Sequence, residues 1–369
     1  MASINDVARL AGVSIATVSR VVSDAPYAVS TETRERVLDA ARTLDYVPNA
    51  LARGLLKSHI PVVGVIVHDI TDPYFSEIVR GVEDEATRAG YLVITCSSER
   101  DADREASYVR LLRSMRVAAV VFAGSGLEDG ASTKALHRHL AAMRSDGSAV
   151  VHLSPHARGQ PEVGVDNSAG VADMVRALAG LGHRQIAFLA GPSALIVARQ
   201  RLAGYRLGLQ QSGIPFDDRL VLHTTFDAAG GSLAVDALQD GEAPFTAIMC
   251  ANDLLALGVM RRLAALGVAV PADVSVAGFD DIATAAVTAP SLSTVRIPLR
   301  DLGRHGFEFA NRILNGEEPG IITLPTAVIL RDSTAAPVVA VNVLRPTVLS
   351  RASGRRASNH PGSSLEEAT

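Results

Sequence analysis

Two sets of residues in this chain of 369 have types and spacing suited to chemistry, and in both it is the chemistry of recognition. The first is "GVSIATVSRVVS", Gly12 to Ser23. On a helix, Val18, Val21 and Val22 fall to one side as core positions, while Ile15, Ala16, Ser19 and Arg20 fall to the other. Two apolar residues, a hydroxyl and one cation make either an indifferent surface or a surface shaped to touch something. The second set is Asp69, Asp72, Asn252, Asp253, Asp280 and Asp281, which stand at the ends of short apolar runs. Reactive constellations are missing. "GSGLEDG" at Gly124 has the wrong spacing for a dinucleotide fingerprint, and no P-loop or nucleophile elbow occurs. His137 and His139 are two apart and face differently on a helix, which makes a poor metal pair. His152 and His156 flank Pro155 with no cysteine or carboxylate cluster to join them. The chain is not expected to be an enzyme, and no metal or cofactor is implied.

The elements that position these residues are of two kinds. A chain this long exceeds one ordinary core, so two or three domains are expected. Its 48% hydrophobic and 20% charged residues are those of a globular protein. A net charge of −4 argues against a broad basic coat for nucleic acid or membrane, but a small DNA-reading module can hide inside that average. Cys96 and Cys250 lie far apart in apolar runs and read as buried reduced thiols. No apolar run approaches the ~20 residues needed to span a bilayer. The first turns carry Asn5, Asp6 and Arg9 in place of an apolar signal segment, so a cytoplasmic location is expected.

The first sixty residues hold three helix-period segments, "INDVARLAG", "IATVSRVVS" and "STETRERVLDAARTLDY". The third begins at Ser30 or Thr31, with Val37, Leu38, Ala41 and Leu44 as its apolar side. From Val62 onward, apolar runs such as "VVGVIVHDI", "AAVVFAG", "QIAFLAG" and "VSVAGFDD" alternate with amphipathic helices. That alternation predicts βαβ units and parallel sheets covered on both faces, arranged as two doubly wound subdomains. Ligands bind outside the carboxyl ends of such strands, where the second set of residues stands. From about Arg345 the chain is rich in Ser, Arg and Gly without apolar period, and reads as a disordered tail.

Ile4 to Ser23 meets the requirements of a helix-turn-helix. Ala8 is small where the helices touch, Gly12 tolerates the turn, and Val7, Val13, Val18 and Val21 bury one helix on the other. The longer stretch "INDVARLAGVSIATVSRVVSDAPYAVSTETRERVLDAARTLDYVPNALARGLL" closely resembles the N-terminus of the LacI/GalR family of transcriptional regulators. The resemblance continues through "VGVIVHDITDPYFSEIVRGVEDEA", "LGHRQIAFLAGPS", "RQRLAGYRLGL", "ANDLLALGVMRRL", "VSVAGFDDI", "PSLSTVRIP" and "LPTAVILRDST", and covers residues 3 to about 334. It implies an α/β chain with an N-terminal helix-turn-helix DNA-binding domain over 1–47 and a hinge helix and linker over 48–60. A periplasmic-binding-protein type I-like effector and dimerisation domain over 61–344 would follow, two doubly wound parallel-sheet subdomains with crossovers near 160 and 290. The tail is 345–369. The implied function is sequence-specific DNA binding by a repressor whose operator affinity a small molecule controls.

Residue by residue, the resemblance places the second helix in the major groove, where its first residues set operator choice. Those are Ile15 and Ala16, followed by Ser19 and Arg20, with Thr17 beside them. Arg20 can pair bidentately with a guanine edge, and Ile15 and Ala16 can meet thymine methyls. Ser14, Ser30 and Thr33 match positions that bond phosphate oxygens at helix N-termini. "VPNALARGLL" matches the hinge helix, which orders on the operator and pairs across the dimer axis. Asn49, Ala52 and Leu55 are its DNA-contacting positions, Leu55 being the wedge between central base pairs. A helix this short is marginal alone, and Gly54 costs it a further ~1 kcal/mol relative to Ala.

In the effector domain Arg201, Asn252 and Asp280 match family positions that line the cleft, with Asp72 and Phe75 of "DPYF" on the side of the first subdomain. A guanidinium, an amide and a carboxylate suit sugar hydroxyls. Asp253 reads as the cap of the helix that follows it. Three positions depart from the family pattern: Asp72 stands for Asn, Leu153 for a polar residue after the fourth strand, and Ile297 for Gln in "TVRIP". Two polar contacts exchanged for aliphatic ones predict a ligand less hydroxylated on those sides, or an altered pocket. The expected partners are double-stranded, pseudo-palindromic operator DNA, a small-molecule effector of carbohydrate type and a second copy in a homodimer, with no membrane. The alternative is a free-standing solute-binding protein or sugar-processing enzyme of doubly wound fold, against which the attached helix-turn-helix speaks.

Overall fold

The computed structural model describes residues 2–22, 29–47, 59–126, 131–154, 161–241 and 243–337. The hinge positions Asn49, Ala52, Gly54 and Leu55, and the tail from 345, lie outside these residues.

The N-terminal unit is three helices, α1 (Ile4–Ala11), α2 (Ile15–Val22) and α3 (Thr31–Thr43). Ser3 starts α1 in a capping box with Asp6, and Gly12 ends it in the left-handed region at φ 66°. A residue with a Cβ is strained there, which is why glycine makes this turn. Val7, Ala8, Ala11, Val18, Val21, Val37 and Ala40 form a small core of their own, with Val13, Val22, Ala41 and Leu44 packed against it. Leu38, expected on the apolar side of α3, is instead 41% exposed. It sits one residue, about 100° of turn, beyond Val37, outside the arc that Val37, Ala40, Ala41 and Leu44 share.

The remainder builds two sheets. The first takes β1 (Ile60–Val67), β2 (Leu92–Ser97), β3 (Val117–Phe122), β4 (Ala149–His152), β5 (Glu162–Val165) and β11 (Ile321–Leu324), in the order β11-β5-β4-β3-β1-β2 with every pairing parallel. Its helices are α4 (Pro73–Arg88), α5 (Ala102–Ser114), α6 (Ala131–Ser145) and α12 (Leu299–Leu314). The second takes β6 (Ile186–Ala190), β7 (Val221–His223), β8 (Ala247–Cys250), β9 (Ser275–Asp280), β10 (Ser293–Arg296) and β12 (Ala327–Ile329), in the order β12-β10-β9-β8-β6-β7. Only β12 runs antiparallel in it. Its helices are α7 (Asn167–Gly180), α8 (Ile196–Gln211), α9 (Ala228–Asp240), α10 (Asp253–Ala265) and the short α11 (Ala283–Val287). The chain passes from one sheet to the other after β5, after β10 and between β11 and β12.

Helix pairs close on glycines. A Cβ on Gly81 of α4 would lie 2.1 Å from the Arg300 carbonyl oxygen of α12, and one on Gly303 of α12 would lie 2.0 Å from that of Ile78. Gly231 of α9 and Gly258 of α10 meet in the same way, against Leu255 and Ala228. Cys250 is buried in the central strand β8, but Cys96 is only half-buried, because β2 is an edge strand with one side uncovered. No described helix is long and apolar enough to cross a membrane.

Candidate functional site

The exposed face of α2 follows from its packing. Val18 and Val21 are buried under α1 and α3, which turns the opposite side outward. Ile15 (50% exposed), Ala16 and Arg20 are on the surface, and Ser19 and Thr17 are half-buried. At about 100° per residue, Ile15, Ser19, Ala16 and Arg20 follow one another around an arc of about 140°. Ser14 lies at the start of this face, where its Oγ accepts from the Thr17 backbone N–H at 3.1 Å and contacts the Thr17 hydroxyl at 2.9 Å. Ser30 repeats the arrangement on α3: its Oγ accepts from Thr33 N–H at 3.3 Å and donates to the Thr33 hydroxyl at 2.9 Å. Ser14 and Ser30 thus serve as helix caps, each with a threonine hydroxyl bonded to it. The Thr33 hydroxyl keeps its own proton for another acceptor, beside a helix N-terminus whose dipole favours anions.

The second site is a cavity between the two sheets, with about 620 Å³ of space free of protein atoms, part of it open to solvent. The first sheet contributes His68, Asp72, Tyr74, Phe75, Arg100 and Leu153, and the second Asn167, Arg201, Phe226, Asn252 and Asp280, among others. Of the six polar residues expected at strand ends, Asp72, Asn252 and Asp280 line it and the other three do not. Asp69 accepts from the backbone and hydroxyl of Thr71, closing a local turn. Asp253 is fully buried, accepting from Ile282 N–H at 2.9 Å and the Thr294 hydroxyl at 2.6 Å. Asp281 holds Arg296 and Arg331, each at 2.6 Å. The cap of α10 is Asn252, not Asp253, which stands one residue inside the helix. Ile297 also departs from expectation, since its side chain belongs to the hydrophobic core, whereas Leu153 does line the cavity.

Arg201 organises the far wall. Only 4% exposed, it donates from Nε to Asn167 Oδ1 at 3.0 Å and from its terminal nitrogens to Asp280 Oδ1 at 3.2 Å and to the Ala251 carbonyl. Its guanidinium lies 3.9 Å from the centre of the Phe279 ring. Burial pushes the Asp280 carboxyl well above its ordinary pKa, against the opposing pull of Arg201. Asp280 and Asp281 have φ of 116° and 57°, strain that persists because ion pairs hold both side chains. Asn252 is equally engaged: its Oδ1 accepts from Leu255 N–H at 3.0 Å and its Nδ2 donates to the Phe226 carbonyl at 3.3 Å.

On the near wall, Asp72 caps α4, accepting from Tyr74 N–H at 2.9 Å, and burial raises its carboxyl. Tyr74 and Phe75 meet edge to face at 4.8 Å. His68 packs edge-on against Phe75 and lies 3.7 Å from Glu105, whose carboxyl burial also raises. His68, Tyr74, Arg100, Asn167 and Phe226 went unnoticed in the sequence. Arg100 and Phe226 stand just past the carboxyl ends of β2 and β7, the rule that drew attention to the aspartates, so position alone carried a signal. Among the described residues no group of three or more His, Cys, Asp or Glu side chains could hold a metal ion.

Residues 3–49 match the family described as bacterial regulatory proteins, lacI family, and residues 175–334 match the periplasmic binding protein-like domain. The chain is 33% identical over 337 residues to the HTH-type transcriptional repressor PurR of Vibrio parahaemolyticus, covering 90% of this chain and 98% of that one. Its structure is similar to that of the lac repressor dimer bound to operator and the anti-inducer ONPF, with a TM-score of 0.79 and 29% identity over 91% of this chain and 99% of the other. It is also similar to a complex of the transcriptional regulator CelR with cellobiose, with a TM-score of 0.67 and 29% identity over 90% of this chain and all of the other, 100%.

Proposed function

The chain belongs to the LacI family of bacterial regulatory proteins, and on that premise we propose that it is a repressor whose hold on an operator is set by a small molecule in the cavity. It is a regulator, as its relatives are, and not an enzyme. The observation that carries this reading is the pairing, in one chain, of the outward arc Ile15–Ser19–Ala16–Arg20 with a polar cavity between two sheets. Arg20 reads a guanine edge, Ile15 and Ala16 meet thymine methyls, and Thr17 and Ser19 flank them. The capped N-termini at Ser14, Ser30 and Thr33 hold phosphates, and Asn49, Ala52 and Leu55 engage the minor groove from the hinge.

Two copies bind a pseudo-palindromic operator, because two identical heads must meet two half-sites related by a two-fold axis. The effector contacts Asp72, Phe75, Arg201, Asn252 and Asp280. Its binding changes the angle between the subdomains and with it the free energy of ordering the hinge on DNA. A carbohydrate effector is supported by the cellobiose held by CelR and by the donors and acceptors that line the cavity. The cytoplasm, where operator DNA is accessible, is the place of action. The test is selection of duplexes from a randomised pool by the full chain, followed by electrophoretic shift of the enriched sequence. A single palindrome should emerge; recovery of random sequences would sink the reading.

A further inference from the structure

The cavity is lined by a cation, Arg100, that among the described residues forms no salt bridge. Arg100 follows β2 at φ 59° and lines the cavity with its guanidinium 5.7 Å from the centre of the Phe226 ring on the opposite subdomain. The residue is half-buried, its Nε is buried without a hydrogen-bond partner, and among the described residues no carboxylate forms a salt bridge with it. Burial accordingly holds its pKa below the ordinary arginine range, with Asp72, Asp227 and Asp69 acting only at a distance. Arg201 is the internal contrast, with Asn167, Ala251 and Asp280 meeting it on all sides. Asp72 has one carboxylate oxygen on Tyr74 N–H and, among the described residues, no partner for the other.

A partly desolvated guanidinium with an unsatisfied Nε and carboxylates only at a distance is costly to keep, and the cost is relieved by a ligand that brings an anion. Since Arg201 and Asp280 pair with each other and His68 lies beside Glu105, Arg100 and Asp72 are the charged lining groups without an ion pair among the described residues, and they select the charge of the ligand. We propose that the effector is a hydroxylated organic anion, a sugar acid or sugar phosphate and not a neutral sugar, whose anionic group pairs with Arg100 while a neighbouring hydroxyl donates to Asp72. The inference rests on the reading of this cavity as the effector site.

The test uses the full-length protein and matched compounds: glucose, gluconate, glucuronate and glucose 6-phosphate, with the corresponding galactose series. Melting midpoint and calorimetric titration are the readouts. At least one anion should raise the midpoint by several degrees where its neutral parent at equal concentration does not, and the carboxylate and phosphate arms tell the two sources apart. Arg100→Gln should weaken that binding about tenfold or more, while the ligand-free midpoint stays level or rises, since an unpaired charge has been removed. Arg100→Lys, which keeps the charge, should retain part of the binding. Three results would overturn the proposal: a neutral parent that binds as well, no shift from any anion, or an Arg100→Gln protein that keeps its affinity or loses its fold. Operator binding by the ligand-free protein is scored separately. If an anion binds through Arg100 yet leaves operator affinity unchanged, the regulatory reading fails and the ligand class stands.

Discussion

Arg20 and Arg201 carry the same guanidinium into opposite circumstances. Arg20 is on the exposed arc of α2, whereas Arg201 is enclosed, with Asn167, Ala251 and Asp280 as its partners. Arg20→Ala should therefore cost ~1–3 kcal/mol on the preferred operator and relax preference at one base pair, as titrations against single-base operator variants would record. An equal loss on every duplex would mean a phosphate contact instead. Asp253 gives a residue-scale prediction of another kind. Burial raises its carboxyl to about 7, outweighing the hydrogen bonds from Thr294 and Ile282 that lower it. The folded chain holds this proton more tightly than the unfolded chain does. The stability it contributes is fully present below about pH 4 and is lost as pH rises through about 7, a change on the order of 4 kcal/mol. Asp253→Asn can accept from Ile282 N–H and donate to the Thr294 hydroxyl. It should flatten the stability profile between about pH 4 and pH 7 in urea titrations, and an unchanged slope would place the titration elsewhere.

Helices α4 and α12, from different halves of the sequence, lie so close that glycine is the residue at their crossing. Gly81→Ala should destabilise by about 1–3 kcal/mol, because its methyl would overlap the Arg300 carbonyl and the helices must part to admit it. Gly180, at the end of α7, has nothing within 4 Å of a built Cβ, so Gly180→Ala should instead stabilise by about 0.4–1 kcal/mol. Opposite shifts in the thermal midpoint for the same substitution would separate crowding from backbone entropy. Elements were readable in the sequence to the extent that their signal is local. The three N-terminal helices, the apolar strands and the Gly12 turn each declare themselves within a few residues. Leu38 is not assigned by sequence, because several registers of α3 offer a plausible apolar side and only the packing of α1 on it selects one. Cys96 was misplaced because nothing local distinguishes an edge strand from a central one.

At the scale of the molecule, Arg201, Asn252 and Asp280 come to one cavity because each follows a strand of the same sheet or the helix beside it, which topology alone dictates. Which side chains are already engaged was not readable, since Arg201 meets partners 34 and 79 residues away. That difference separates a lining residue from an available one. Two heads joined in one dimer also predict a bivalent isotherm. A duplex carrying one half-site should bind roughly 10²–10⁴ weaker than the full palindrome at equal salt, measured by fluorescence anisotropy, and comparable affinities would argue against simultaneous engagement. The glycine crossings have a further meaning for heredity. Any single-base change that alters a glycine codon to another amino acid adds at least a Cβ, so Gly81, Gly231, Gly258 and Gly303 have no conservative missense neighbour. A library of point mutants selected for operator binding should return missense changes at these four codons far less often than on the exposed helix faces around them.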